Sequence, residues 1–99
     1  MKLKKGVNIQ GIDLKLRPVL IHADEIWKRY GQELVITAGM EGEHSAGSLH
    51  YYGLALDLRK NYFTSDIAIK VRNELQVKLG RNFDVILHST HIHTEYDPK

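Results

Sequence analysis

The stretch "GLALDL", residues 53–58, narrows most sharply what this chain can become. Side chains along a strand point alternately to opposite faces, so Leu54, Leu56 and Leu58 form one apolar face and Gly53, Ala55 and Asp57 the other. The leucines call for a core on one side only, while a carboxylate among small residues leaves room for a further group on the other. The closing segment "HIHTEY" keeps the same period: His91, His93 and Glu95 share one face, Ile92 and Tyr96 the other. Two strands that are apolar on one side and carry imidazole and carboxylate on the other predict a sheet with one covered face.

The cover is readable as well. Leu16, Val19, Leu20, Ala23, Ile26, Trp27 and Tyr30 recur at helical spacing, with Pro18 in the first turn and Gly31 just past the end. Ile67, Ala68, Val71, Leu75 and Leu79 form a second stripe, opened by Thr64 and Ser65 with Asp66 at the positive end, and stopped by Gly80. "ELVITAGM" and "FDVIL" read as strands, "EGEHSAGS" as a polar loop, and Val7 to Ile12 as a short extended start. The expectation is an α+β fold: a small, mostly antiparallel sheet with two main helices packed on one face, in a single domain spanning 1–99.

Composition excludes several classes. A net charge of +2 with scattered Lys and Arg, and no basic stripe interleaved with aromatics, argues against nucleic acid; "KLKK" near the start reads as a solvated end. No apolar run is long enough to span a bilayer. The basic start lacks the apolar segment of a secretory signal, so synthesis and folding in a cytoplasm are expected. With no cysteine there is neither a disulfide nor a thiolate metal site.

Histidine is where the chemistry concentrates. His22 reads as an ordinary hydrogen-bonded histidine, and His44 as a residue on the rim of any site its loop borders. His50 lies just before the first strand, where a bend can return its ring toward Asp57; His88, His91 and His93 crowd the far end with Glu95. Imidazole and carboxylate without sulfur suit a zinc ion with three protein ligands and an open position. Spacing alone leaves that reading beside the plainer one of core histidines.

"HSAGSLHYYGLALDLR" resembles the S-x-H-x-x-G-x-A-x-D motif of zinc D-Ala-D-Ala carboxypeptidases and L-alanyl-D-glutamate endopeptidases, the M15-type peptidoglycan peptidases, whose zinc fold is shared with the hedgehog signalling domain. Ser48, His50, Gly53, Ala55 and Asp57 match it, and "HIHTEYDPK" is similar to the closing H-x-H segment. In length and order the chain resembles small phage-encoded members. The resemblance implies a hedgehog-like fold, zinc held by His50, Asp57 and His93, His91 as an auxiliary that hydrogen-bonds substrate, and action on peptidoglycan stem peptides of a host cell wall. Two positions depart from the pattern: His88 stands where a glutamate general base is usual, and Ala46 where a loop arginine is usual. His88 can serve as the base or as a fourth ligand; Glu95 can replace the base or, preferably, hold the second nitrogen of His93. The alternative function is a zinc-binding protein without peptidase activity.

Overall fold

A computed structural model describes residues 1–41 and 53–99 of the chain. Among these residues there are two helices, α1 (Arg17–Arg29) and α2 (Ser65–Leu79). Five strands, β1 (Lys2–Leu3), β2 (Val35–Ala38), β3 (Ala55–Arg59), β4 (Phe83–Leu87) and β5 (His91–Tyr96), form one sheet in the order β1-β2-β3-β5-β4. Only β1 pairs parallel to its neighbour. The fold is therefore α+β, with a mostly antiparallel sheet against which both helices pack.

Each helix forms where its stripe and its ends agree. A 3-10 turn, Leu14–Leu16, leads into α1, with Asp13 accepting the Lys15 N–H at its start. Val19, Ala23, Ile26 and Trp27 face inward from α1, which ends where Gly31 takes φ +77° and the Gln32 N–H returns to the Trp27 carbonyl at 3.0 Å. Thr64 caps α2 by accepting the Ile67 N–H, and Ala68, Val71 and Leu75 are buried from it. All of these except Ala68 meet Ile36, Leu56, Leu58, Phe83, Val85 and Ile92 of the sheet in one core cluster. Trp27 also donates its indole N–H to the carbonyl of Arg59 at 3.0 Å, and its ring meets Phe63 edge-on, which ties α1 to the end of β3.

Alternation in β3 runs as the leucines require: Leu56 and Leu58 are fully buried in the core, and Asp57 lies on the opposite face. The strand starts at Ala55, two residues later than the alternation suggested, because Gly53 is drawn into a turn. Gly53 takes φ +70°, and an added Cβ would stand 3.0–3.1 Å from backbone atoms of Gly11, Ile12 and Asp13. Its carbonyl accepts the Asp13 N–H at 2.9 Å, so the N-terminal segment lies directly on it.

That segment is not the extended start expected over Val7 to Ile12. It turns twice, through Val7 N–H to Lys4 carbonyl and Ile12 N–H to Ile9 carbonyl, and the strand of this region is β1, at Lys2–Leu3. Val7, Ile9 and Ile12 pack half-buried against the core, which explains their apolar character without a strand.

The outer edge of β4 is closed by α2. Gln76 donates to the carbonyl of Phe83 at 2.8 Å and accepts the Val85 N–H at 3.1 Å, and Arg72 Nε donates to the Val85 carbonyl at 2.8 Å. One side-chain amide thus presents the donor and acceptor that a neighbouring strand would offer.

Candidate functional site

The face of the sheet opposite the core carries the polar residues that alternate with it. β3 and β5 pair so that Asp57 lies opposite His93, Arg59 opposite His91 and Ala55 opposite Glu95. Period two then makes His91, His93 and Glu95 neighbours of Asp57 on that face. The register is held from the buried side, where the Thr94 hydroxyl donates to the Leu56 carbonyl at 2.9 Å.

His93 is held between two carboxylates. Its Nδ1 lies 2.8 Å from Asp57 Oδ1 and its Nε2 lies 2.8 Å from Glu95 Oε1. With both carboxylates ionised, these two contacts favour a ring that donates through both nitrogens, the imidazolium form. Asp57 above all, with Glu95 adding, raises the pKa of His93 above the ordinary histidine value, against the opposing effect of burial. The three side chains are only 14–21% exposed, which limits solvent screening.

His91 stands at the other oxygen of Asp57, its Nε2 3.6 Å from Oδ2, with its Nδ1 at 2.9 Å from the Thr90 hydroxyl. His88 closes the β4–β5 hairpin by donating its N–H to the His91 carbonyl, and its ring centroid lies 4.8 Å from that of His91 and 6.1 Å from that of His93. The structure thus gathers Asp57, His88, His91, His93 and Glu95 at one place. His50, Ser48, His44 and Ala46 lie outside the described residues.

A cleft of about 330 Å³ opens beside this group, lined by Lys4, Thr37, Ala38, Asp57, Arg59, Asn61, Thr90 and His91. Thr37 reaches it through a bulge: β2 spends two steps, Ile36 to Ala38, where β3 spends one, Leu58 to Asp57. The extra residue re-aims the local side chains, as bulges beside sites commonly do. Lys4, Thr37 and Asn61 were not read as site residues in the sequence. Arg59 carried a signal, since it lies two residues beyond Asp57 on the same strand face.

Among the described residues, Asp57 and His93 are two donors that could contribute to holding a divalent metal. Asp57 and His93 offer oxygen and nitrogen on adjacent strands, and Glu95 on the far nitrogen of His93 is the carboxylate that orients a metal-bound imidazole in many sites. A second acidic group, Asp84, Glu95 and Asp97, brings oxygens within 4.8 Å of one another. There Lys99 Nζ already lies 3.1 Å from both Asp84 and Asp97, and Glu95 is engaged by His93, so the chain's own cations meet that charge.

In comparison with known proteins, no family model matches the chain and no curated protein matches it. Among the described residues, no helix is long and apolar enough to cross a membrane.

Proposed function

We propose that this chain is a zinc hydrolase that cuts peptide bonds in bacterial cell-wall stem peptides. The observation that supports it best is His93 bracketed by Asp57 and Glu95, beside an open polar cleft. In this reading Asp57 and His93 hold the metal together with His50, the third ligand implied by the motif resemblance. Zinc bound there supplies Lewis-acid polarisation of a carbonyl and a more acidic water. Glu95 keeps the His93 ring in one orientation and makes it a better donor. His88, on the hairpin beside His91 and His93, accepts the proton that water gives up, histidine being the side chain type that titrates near neutral pH. His91, fixed by Thr90, offers Nε2 to the substrate.

One observation favours a second reading, a zinc-binding protein without peptidase activity. The ring at position 88 lies 6.1 Å from that of His93 by centroids, where a fourth protein ligand would close a tetrahedral shell, and closed shells are structural. Two measurements separate the readings. Hydrolysis of a purified muropeptide, lost on chelation and restored by zinc, supports the hydrolase; X-ray absorption that counts four protein ligands, with no turnover, supports the second. His88→Glu puts a carboxylate at the base position and should raise turnover by about 10²–10⁴-fold where a better base is what the site lacks. The same change should weaken zinc binding where residue 88 is a ligand.

A further inference from the structure

Two large apolar side chains stand on the outer surface of α2. Ile69 and Val77 are 48% and 80% exposed, and with Asn73 between them they form one ridge at four-residue spacing. Beside the ridge runs a groove of about 360 Å³, lined by Asn73, Glu74, Val77 and Lys78. Glu74 is fixed there by Arg29, 2.8 Å away, and by the Tyr30 hydroxyl. Charge on the same surface runs from Asp66 at the start of the helix to Lys78 near its end and Arg81 just beyond. Among the described residues, Asp66, Lys78 and Arg81 are exposed and take part in no ion pair or side-chain hydrogen bond. Turned end for end, this surface complements itself. Ile69 then meets Val77 of a second copy, Asn73 meets Asn73, and Asp66 comes within reach of Lys78 and Arg81. Aligned in the same direction, each charge would meet its own kind and the helix dipoles would repel.

We propose that this surface is a contact between two copies of the chain, joined by antiparallel α2 helices about a two-fold axis near Asn73. The ridge of Ile69, Asn73 and Val77 enters the groove beside the same ridge of the other copy, the usual way helices pack. The two-fold makes each contact twice, and a self-complementary patch closes at two copies. Asn73 accepts one bond from its neighbour Arg72 at 3.0 Å and keeps a lone pair and its amide hydrogens. Two such amides pair across the axis and fix the register. One helix from each side is a contact below about 1,200 Å², so the dimer is weak, half formed at roughly 10⁻⁴ M chain. Because α2 packs on the core side of the sheet, both copies keep the His93 face clear.

Sedimentation velocity across roughly 10⁻⁵–10⁻³ M chain, with zinc and with chelator alike, should show the mass rising toward twice that of one chain. Val77→Glu, at a position 80% exposed, should keep the circular dichroism of the parent and stay monomeric throughout. Asp66→Lys and Lys78→Glu should each weaken association by about 3–10-fold, and the double variant should recover it, because the two charges exchange places. A chain that is monomeric at every concentration, or that associates undiminished as Val77→Glu, overturns the proposal. Growth beyond two copies overturns the two-fold closure. Single charge variants without effect, or a loss the double variant does not regain, overturn the antiparallel register. A monomer whose α2 amide resonances respond instead to an added amphipathic helical peptide gives the surface to a foreign helix and overturns the second copy as its occupant.

Discussion

Replacing Leu56 and Asp57 in turn tests which face of β3 builds the protein and which face carries its chemistry. Leu56 is fully buried against the core. Leu56→Ala removes three buried carbons at ~0.8 kcal/mol each, or ~2.4 kcal/mol, and a partly relaxed cavity brings the loss to ~3–4 kcal/mol. In a domain of this size that lowers Tm by about 15–25 °C. Asp57→Ala leaves the core intact and strips His93 of one partner, a loss of about 1–2 kcal/mol, between those of exposed and of buried pairs. That loss is confined to pH values at which His93 carries its proton. Zinc affinity should fall by more than ~100-fold with Asp57→Ala, beyond what loss of a supporting hydrogen bond costs, and change little with Leu56→Ala. Urea unfolding of the metal-free variants at about pH 8, beside zinc titration of each, reads both effects. Equal destabilisation of the two metal-free variants would refute the facing and demand a one-residue shift of register.

The raised pKa of His93 fixes a direction for pH. Its protonated form is favoured in the folded state, so the contribution to stability is complete below the ordinary histidine value of 6.5 and is lost as pH rises through the raised value. Metal-free protein should therefore unfold at lower urea at alkaline pH, beyond the raised value, than near pH 6, and Asp57→Ala should flatten that difference; an unchanged slope would contradict the bracket. Glu95→Gln keeps an oxygen for His93 but removes the charge, and should reduce zinc affinity by about 10–100-fold with the fold retained by circular dichroism. Gly53→Ala places a Cβ at φ +70° against the backbone of residues 11–13 and should cost about 1–3 kcal/mol in urea unfolding; a neutral result would mean the N-terminal segment yields easily.

Much of this architecture is written in local pattern. Both helices carry stripe and stop signals in adjacent residues, and "HIHTEY" and "FDVIL" form strands over the lengths their alternation suggests. The facing of β3 also followed from alternation, and so did the common face of His91, His93 and Glu95. Less legible was whatever depends on backbone alone. The strand β1 is two exposed residues held by main-chain bonds to β2, which leave no mark on side-chain choice. The bulge at Thr37 is a feature of pairing between segments some twenty residues apart, and neither segment announces it. Lys4 was therefore read as a solvated end, because its place beside Arg59 is created by β1. Arg59 was within reach of the period-two rule, but a lone arginine after a strand has many ordinary explanations.

Gln76 narrows the company this sheet can keep. The amide meets β4 with both a donor and an acceptor, so glutamate would lose the bond to Phe83 and leucine would lose both. Whatever else varies on the outer surface of α2, this position has almost no substitutes of equal reach. A second chain seeking to extend the sheet meets an occupied border at β4 and only two residues of strand at β1. Among the described residues, Gln76 and Arg72 at one flank and the shortness of β1 at the other thus restrict growth of the sheet into a fibre, a form of colloidal restraint.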